Sequence, residues 1–221
     1  MRDGTIEFGQ SPYSCMDPTM TILSFRSVSS GKGVFNLIHY GCHGTSAGCN
    51  HEITRDWSGV MIDRLEAETG ILTAFWNGNI GDIGPRLTNG QTTGNIHYTE
   101  ELGGVAAQDA IRAYKNIGAY HPAELKLYHG ELHLPCRPLP TLAEVEEKLA
   151  AYKNPEGLIN IDMLRYHHWK EVEKTLRDPQ AVPTTEWVIL QTIVAIGDAV
   201  FIPFTCEVFS EIGLRLRAYS P

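Results

Sequence analysis

Residues 34–42 read VFNLIHYGC, residues 56–70 DWSGVMIDRLEAETG and residues 71–76 ILTAFW, and this succession decides the fold class. VFNLIHYGC is β-rich and follows MTILSFR (20–26) across the turn-forming Ser29, Ser30, Gly31, Lys32 and Gly33, which predicts two strands on a short connection. In 56–69 the apolar Trp57, Val60, Met61 and Leu65 recur at helical spacing; Asp56 can cap the start, and Gly70 stands where a left-handed C-terminal residue belongs. ILTAFW is a third strand, running into the glycine-rich loop NGNIGDIGP at 77–85. Strand, loop, helix, strand, loop is the alternation of an α/β fold, with a mixed sheet, helices packed on it and ligand loops at the strand ends.

Further along, Thr99, Glu100 and Glu101 open a helix to about Tyr114, whose face of Leu102, Val105, Ala106, Ala110 and Ala113 predicts close packing on a sheet. Leu125 to Leu134 alternates as a strand, and Pro135, Pro138 and Pro140 make a stiff connection. Thr141 and Glu144 have capping-box spacing for the next helix, a charged helix spans about Asp162 to Arg177, and Trp187–Ile196 with Ala199–Phe204 predict a hairpin through Gly197 and Asp198. A last helix is expected from Glu207 to Arg217. The reading is one α/β domain over 1–221, with a possible seam near 135–140.

Composition removes several classes. The 221 residues are 43% hydrophobic and 20% charged, which is globular, and Lys plus Arg at 18 against Asp plus Glu at 26 gives a net charge of −8 without a basic stripe, so nucleic acid is not an expected partner. The longest apolar runs are broken at Gln191, Thr192, Gly197 and Asp198, far short of the roughly 20 residues of a membrane span. The first residues carry no secretory pattern and the five cysteines no C-x-x-C spacing; the expectation is a cytoplasmic protein with reduced, mostly buried thiols. Oligomeric state is not legible.

Three polar clusters fall where strands end: His43 to Ser46 with Asn50 and Asp56, then Asn77 to Arg86, then Glu207 with Glu211. The carboxyl ends of strands are where α/β sheets bind ligands, so these clusters are expected to converge. His43 is a candidate zinc ligand, although a lone histidine at a strand end is more often a hydrogen-bonded structural residue. His39 cannot share its metal, because four residues on a strand separate Cα atoms by ~13 Å. His167 and His168 lie side by side on a charged helix and point apart. Cys42 and His43 face opposite sides of a strand and do not form a nucleophilic dyad. The glycine loop lacks the phosphate-loop pattern, and Asp82 would repel an anion; Asp82 and Arg86 either pair to pin the loop or contact substrate.

At these clusters the sequence resembles the neutral/alkaline, non-lysosomal ceramidase family, zinc-dependent amidases that split N-acylsphingosine. The carriers are HGTSAGCN at 43–50 with ITRDWSG at 53–59, FWNGNIGDIGP at 75–85, and IGDAVFIPFTCEVFSEIGLRLR at 196–217, three pieces in the family's order. The resemblance implies zinc held by His43 and Glu207, a catalytic region at Gly78 and Asp82, and substrate contacts from Thr45, Ser46, Asn79 and Arg86. Gly78 stands at the position it assigns to the family's loop serine. The family's other ligands, an earlier histidine and a later tyrosine, have no counterpart, which implies a fragment lacking both ends of the family domain. The implied activity is hydrolysis of a small-molecule or lipid N-acyl (amide) or ester substrate by metal-activated water, in sphingolipid metabolism or beside it. Loss of the serine leaves open a catalytically silent binding protein of the same fold.

Overall fold

The computed structural model describes residues 10–11, 13–158 and 160–220. In chain order the elements are β1 (Thr21–Arg26), β2 (Gly33–Tyr40), α1 (Asp56–Thr69), β3 (Thr73–Asn77), α2 (Ile96–Lys115), β4 (Leu125–Pro135), α3 (Leu142–Ala150), α4 (Asn160–Arg177), β5 (Glu186–Ile196), β6 (Ala199–Phe201) and α5 (Ser210–Tyr219). They form two compact units, one of residues 1–124 with 204–221 and the other of residues 125–203. The proline-rich stretch 135–140 lies inside the second unit. Helices and sheets, one mixed and one antiparallel, make an α/β protein.

In the first unit β2 is the middle strand, antiparallel to β1 and parallel to β3. Its central residues Asn36, Leu37 and Ile38 are all buried, as a strand covered on both faces must be. Ile38 joins Cys42, Trp57, Met61, Leu65, Ala107 and Ala110 in one core, so strand, α1 and α2 share a single apolar interior. Gly70 ends α1 at φ 68°, its amide returning to the Glu66 carbonyl at 2.8 Å, the left-handed stop its position predicts.

Two helix starts differ from expectation. Asp56 does not cap α1: it is the helix's first residue, at φ 56°, and its carboxylate turns to the preceding loop. Helix α2 begins at Ile96 rather than Thr99, because Asn95 Oδ1 accepts from the His97 amide at 3.0 Å, whereas the Thr99 hydroxyl turns back to donate to the Ile96 carbonyl at 2.6 Å. The alanine-bearing face of α2 packs mainly on α1 rather than on the sheet. A Cβ at Gly103 would lie 2.5 Å from Val60 Cβ and 2.7 Å from the Trp57 carbonyl oxygen, so the glycine sets how closely the helices approach.

In the second unit β4 and β5 pair antiparallel over eleven residues, and β5 pairs with β6 through a turn at Gly197 (φ 58°) and Asp198. Helix α3 carries the complete capping box: Thr141 Oγ1 accepts from the Glu144 amide, while the Glu144 carboxylate accepts from the Thr141 amide at 2.7 Å and is held below its usual pKa by that bond. Strand β6 stops at Phe201, short of the expected Phe204, and α5 starts at Ser210, so Glu207 stands in a loop and not on a helix. Among the described residues no helix is long and apolar enough to cross a membrane.

Candidate functional site

Past β2 the chain runs through Gly41 and Cys42 to His43, whose backbone is fixed from both sides. Its amide donates to the Ile83 carbonyl at 3.0 Å, and Trp57 Nε1 donates to its carbonyl at 2.9 Å. The glycine loop is tied at each end of its span: the Gly78 amide donates to the Tyr40 carbonyl at 2.9 Å, extending the β2–β3 ladder, and the Gly81 amide to the Val208 carbonyl at 3.0 Å. A Cβ at Gly81 would fall 2.3 Å from the Glu207 carbonyl oxygen, so glycine is needed for the loop to meet the Glu207 segment. The three polar clusters therefore converge. His43 Nε2 lies 3.4 Å from Glu207 Oε2, with the two side chains 31% and 63% exposed.

Asp82 does not pair with Arg86. Its Oδ1 accepts from the Ser210 amide at 2.8 Å and the Ser210 hydroxyl at 2.9 Å, putting a carboxylate at the N-terminus of α5, where the helix dipole favours negative charge. This geometry gives Asp82 a positioning task, since it anchors the helix that follows Glu207. Asn79 is turned the same way: its side-chain amide lies against α5, so close that a Cβ at Gly213 would overlap it at 1.5 Å.

Gly78, assigned above to the family's serine position, is not at the cleft. A Cβ there would point at His39 Cε1 and the Gly41 amide nitrogen, both at 3.0 Å, because Gly78 continues the strand ladder. The neighbouring His39 ring has its pKa lowered, by burial first and then by Arg217, with Asp17 opposing. Gly84, by contrast, lines the cleft, and a Cβ there meets only Thr92, at 3.5 Å.

The cleft has a volume of about 1000 Å³. His43, Thr45, Asp82 and Arg86 line it, together with apolar walls that the sequence reading missed: Met16, Met20, Tyr40, Leu102, Val105 and Ala106. Val105 could be found only as an anomaly, a residue on the predicted packing face of α2 that is 56% exposed. Tyr40 and Trp57 meet edge-to-face at 6.1 Å on the wall, and Trp57 meets Phe75 in the same manner at 5.2 Å. Arg86 is exposed and has no ion pair among the described residues.

Ser46, expected at the substrate, is instead fully buried. Its hydroxyl donates to Asp56 Oδ1 at 2.5 Å and its amide to the same atom at 3.1 Å, while the Ala47 amide donates to Oδ2 at 2.9 Å. Asp56 thereby clasps the loop that carries His43.

The thiols are not mostly buried: Cys15, Cys49 and Cys206 are exposed and only Cys42 is buried. Burial, helped by the Asp56 charge, pushes the Cys42 thiol up to about 12, which keeps it protonated and unreactive beside His43. At pH 8 a thiol-exchange reagent is expected to label Cys15, Cys49 and Cys206 in the native protein and to leave Cys42 unlabelled until denaturant is added. Prompt native labelling of Cys42, read by peptide mass spectrometry, would contradict this.

Among the described residues, no group of three or more His, Cys, Asp and Glu side chains is placed to hold a metal ion. The pair fits two positions of such a site, since two ligand atoms on one tetrahedral zinc lie about 3 to 4 Å apart.

No family model and no curated protein sequence matches the chain. Among solved structures it is similar to the crystal structure of neutral ceramidase from Pseudomonas aeruginosa, with a TM-score of 0.55 and 19% identity over 92% of this chain. The match spans 36% of that ceramidase chain. The likeness is one of fold.

Proposed function

We propose that this chain carries part of the active site of a zinc-dependent, ceramidase-like hydrolase acting on an amide (N-acyl) or ester carbonyl. The observation that carries the reading is the 3.4 Å approach of His43 Nε2 to Glu207 Oε2 at the edge of a large, mainly apolar cleft. His43 and Glu207 would hold the metal, and the remaining ligands would come from outside the described residues. A bound zinc supplies Lewis acidity toward a carbonyl and toward water.

The chain's own residues do the rest. The Trp57 and Ile83 contacts fix the backbone that presents the His43 ring; Asp82 and Ser210 fix the helix that follows Glu207. Met16, Met20, Leu102 and Val105 offer an apolar wall suited to an acyl chain, while Thr45 and Arg86 offer polar contacts at the same cleft.

A second reading, a catalytically silent binding protein with the same fold, rests on glycine at position 78, which the resemblance assigns to the family's loop serine. One experiment separates them. A longer form of the chain, extended at both ends, is dialysed against zinc, its metal content is measured, and release of fatty acid is followed from a fluorescent N-acylsphingosine and from a short-chain N-acyl amide. Bound zinc with chelator-sensitive release supports the hydrolase; binding of the lipid without zinc uptake or release supports the silent form.

A further inference from the structure

The outer strand of the second unit is open. In the order β4-β5-β6, β5 occupies one edge of β4 for eleven residues without a bulge, and among the described residues no strand pairs with the other edge. All of β4 is exposed except Leu132, which is partly so. Edge strands are ordinarily protected by proline, lysine, a bulge or a cover. This strand has no bulge, and its lysine and its proline, Lys126 and Pro135, stand at its two ends, leaving Leu127 to Leu134 without either.

Its sequence, LKLYHGELHLP, is also self-complementary about Gly130. Two copies running antiparallel around a two-fold axis through Gly130 would set His129 opposite the second copy's Glu131, Tyr128 opposite Leu132 and Leu127 opposite His133. Each of these contacts occurs twice, because a two-fold interface repeats itself. A histidine ring can donate a hydrogen bond to a carboxylate opposite it, and aromatic–aliphatic pairs across strands are stabilising, whereas carboxylate opposite carboxylate is not. The adjacent two-fold registers, centred on His129 or on Glu131, would oppose histidine to histidine or glutamate to glutamate. Only the Gly130 register overlaps the full length of the strand, with Lys126 opposite Leu134 and Leu125 opposite Pro135, which has no amide to donate. Leu127 and Tyr128, each 55% exposed, would gain cross-strand neighbours.

We propose that the chain self-associates through β4, two copies pairing antiparallel about Gly130 into a continuous six-stranded sheet. The pairing is independent of the His43 and Glu207 site.

The test uses the 221-residue chain and charge reversal. His129→Glu sets glutamate against Glu131 twice, and the double variant His129→Lys/Glu131→Lys sets lysine against lysine twice. Sedimentation equilibrium should show the parent as a dimer, each variant alone with a dissociation constant raised about 100-fold or more, and an equimolar mixture restored to parental affinity because both its pairs are opposite in charge. Restoration in the mixture also shows that both variants are folded. A parent that stays monomeric at ~100 μM, where an association of even micromolar strength would be saturated, overturns the proposal. So does association that neither variant weakens, which would assign it to the apolar faces of the sheet. Failure of the mixture to recover, with native circular dichroism in both variants, overturns it as well.

Discussion

In a longer form of the chain that supplies the remaining ligands, His43→Ala is expected to remove zinc binding and at least about 100-fold of any hydrolytic activity while leaving the fold in place. The reason lies in what holds residue 43. The amide bond to Ile83 and the bond from Trp57 Nε1 both use backbone atoms of His43, which alanine retains. The ring itself is 31% exposed and contributes modestly to the core. Thermal melting should shift by no more than a few degrees, the size of change expected from a truncation away from the packed interior. Glu207→Gln is the companion: it keeps the shape, removes the negative charge, and should weaken zinc without altering the melt. Metal content by atomic absorption, activity and melting temperature are read on the same samples. Unchanged zinc and activity in His43→Ala would remove this residue from the site. Loss of the fold in a protein that held no metal beforehand would make its role structural.

What could be read from the sequence was what short-range physics determines. The β2, α1, β3 succession, the Gly70 stop and the Thr141–Glu144 capping box each depend on residues a few positions apart, and each is present. Convergence of the first two clusters could be expected because β2 and β3 are neighbours in one sheet; Glu207 follows β6 of the other sheet, and its meeting with His43 depends on the long-range contact of its segment with Gly81. The misread features have long-range causes. Thr99 looked like a cap, but Asn95 takes that task and Thr99, buried against the fold, turns its hydroxyl inward. Asp82 looked like a partner for Arg86 four residues away; its partner is Ser210, 128 positions on. Ser46 looked like a substrate contact in a motif, and burial under Asp56 makes it a fastener. Val105 looked like packing and forms a cleft wall, because nothing in helical periodicity tells an occupied groove from an open one.

Asp56→Ala is expected to be the most destabilising single substitution in the first unit, at about 3–5 kcal/mol. The carboxylate accepts from four donors: the Ser46 amide and hydroxyl, the Ala47 amide at 2.9 Å and the Trp57 amide at 2.8 Å. Alanine leaves these without a partner in a buried place, and each stranded donor costs about 1–3 kcal/mol before water or local rearrangement recovers part of it. Backbone strain adds a second, separable effect. At φ 56° Asp56 is the one described non-glycine residue in the left-handed region, where a side chain costs about 1–2 kcal/mol and where Asp and Asn are better tolerated than Ala. Three variants therefore sort the two contributions. Asn keeps one carbonyl-type acceptor and the tolerated conformation, and should cost least, about 1–2 kcal/mol. Gly loses every bond but relieves the strain, and should be roughly 1 kcal/mol better than Ala. Urea unfolding gives the order directly: Asn above Gly above Ala. If Ala lies within about 1 kcal/mol of the parent, the bonds are not holding the loop; if Gly is no better than Ala, there is no strain to relieve. Because the Ser46–Ala47 turn follows His43 by three residues, Asp56→Asn should also loosen the presentation of the ring and weaken zinc, with the chain still folded.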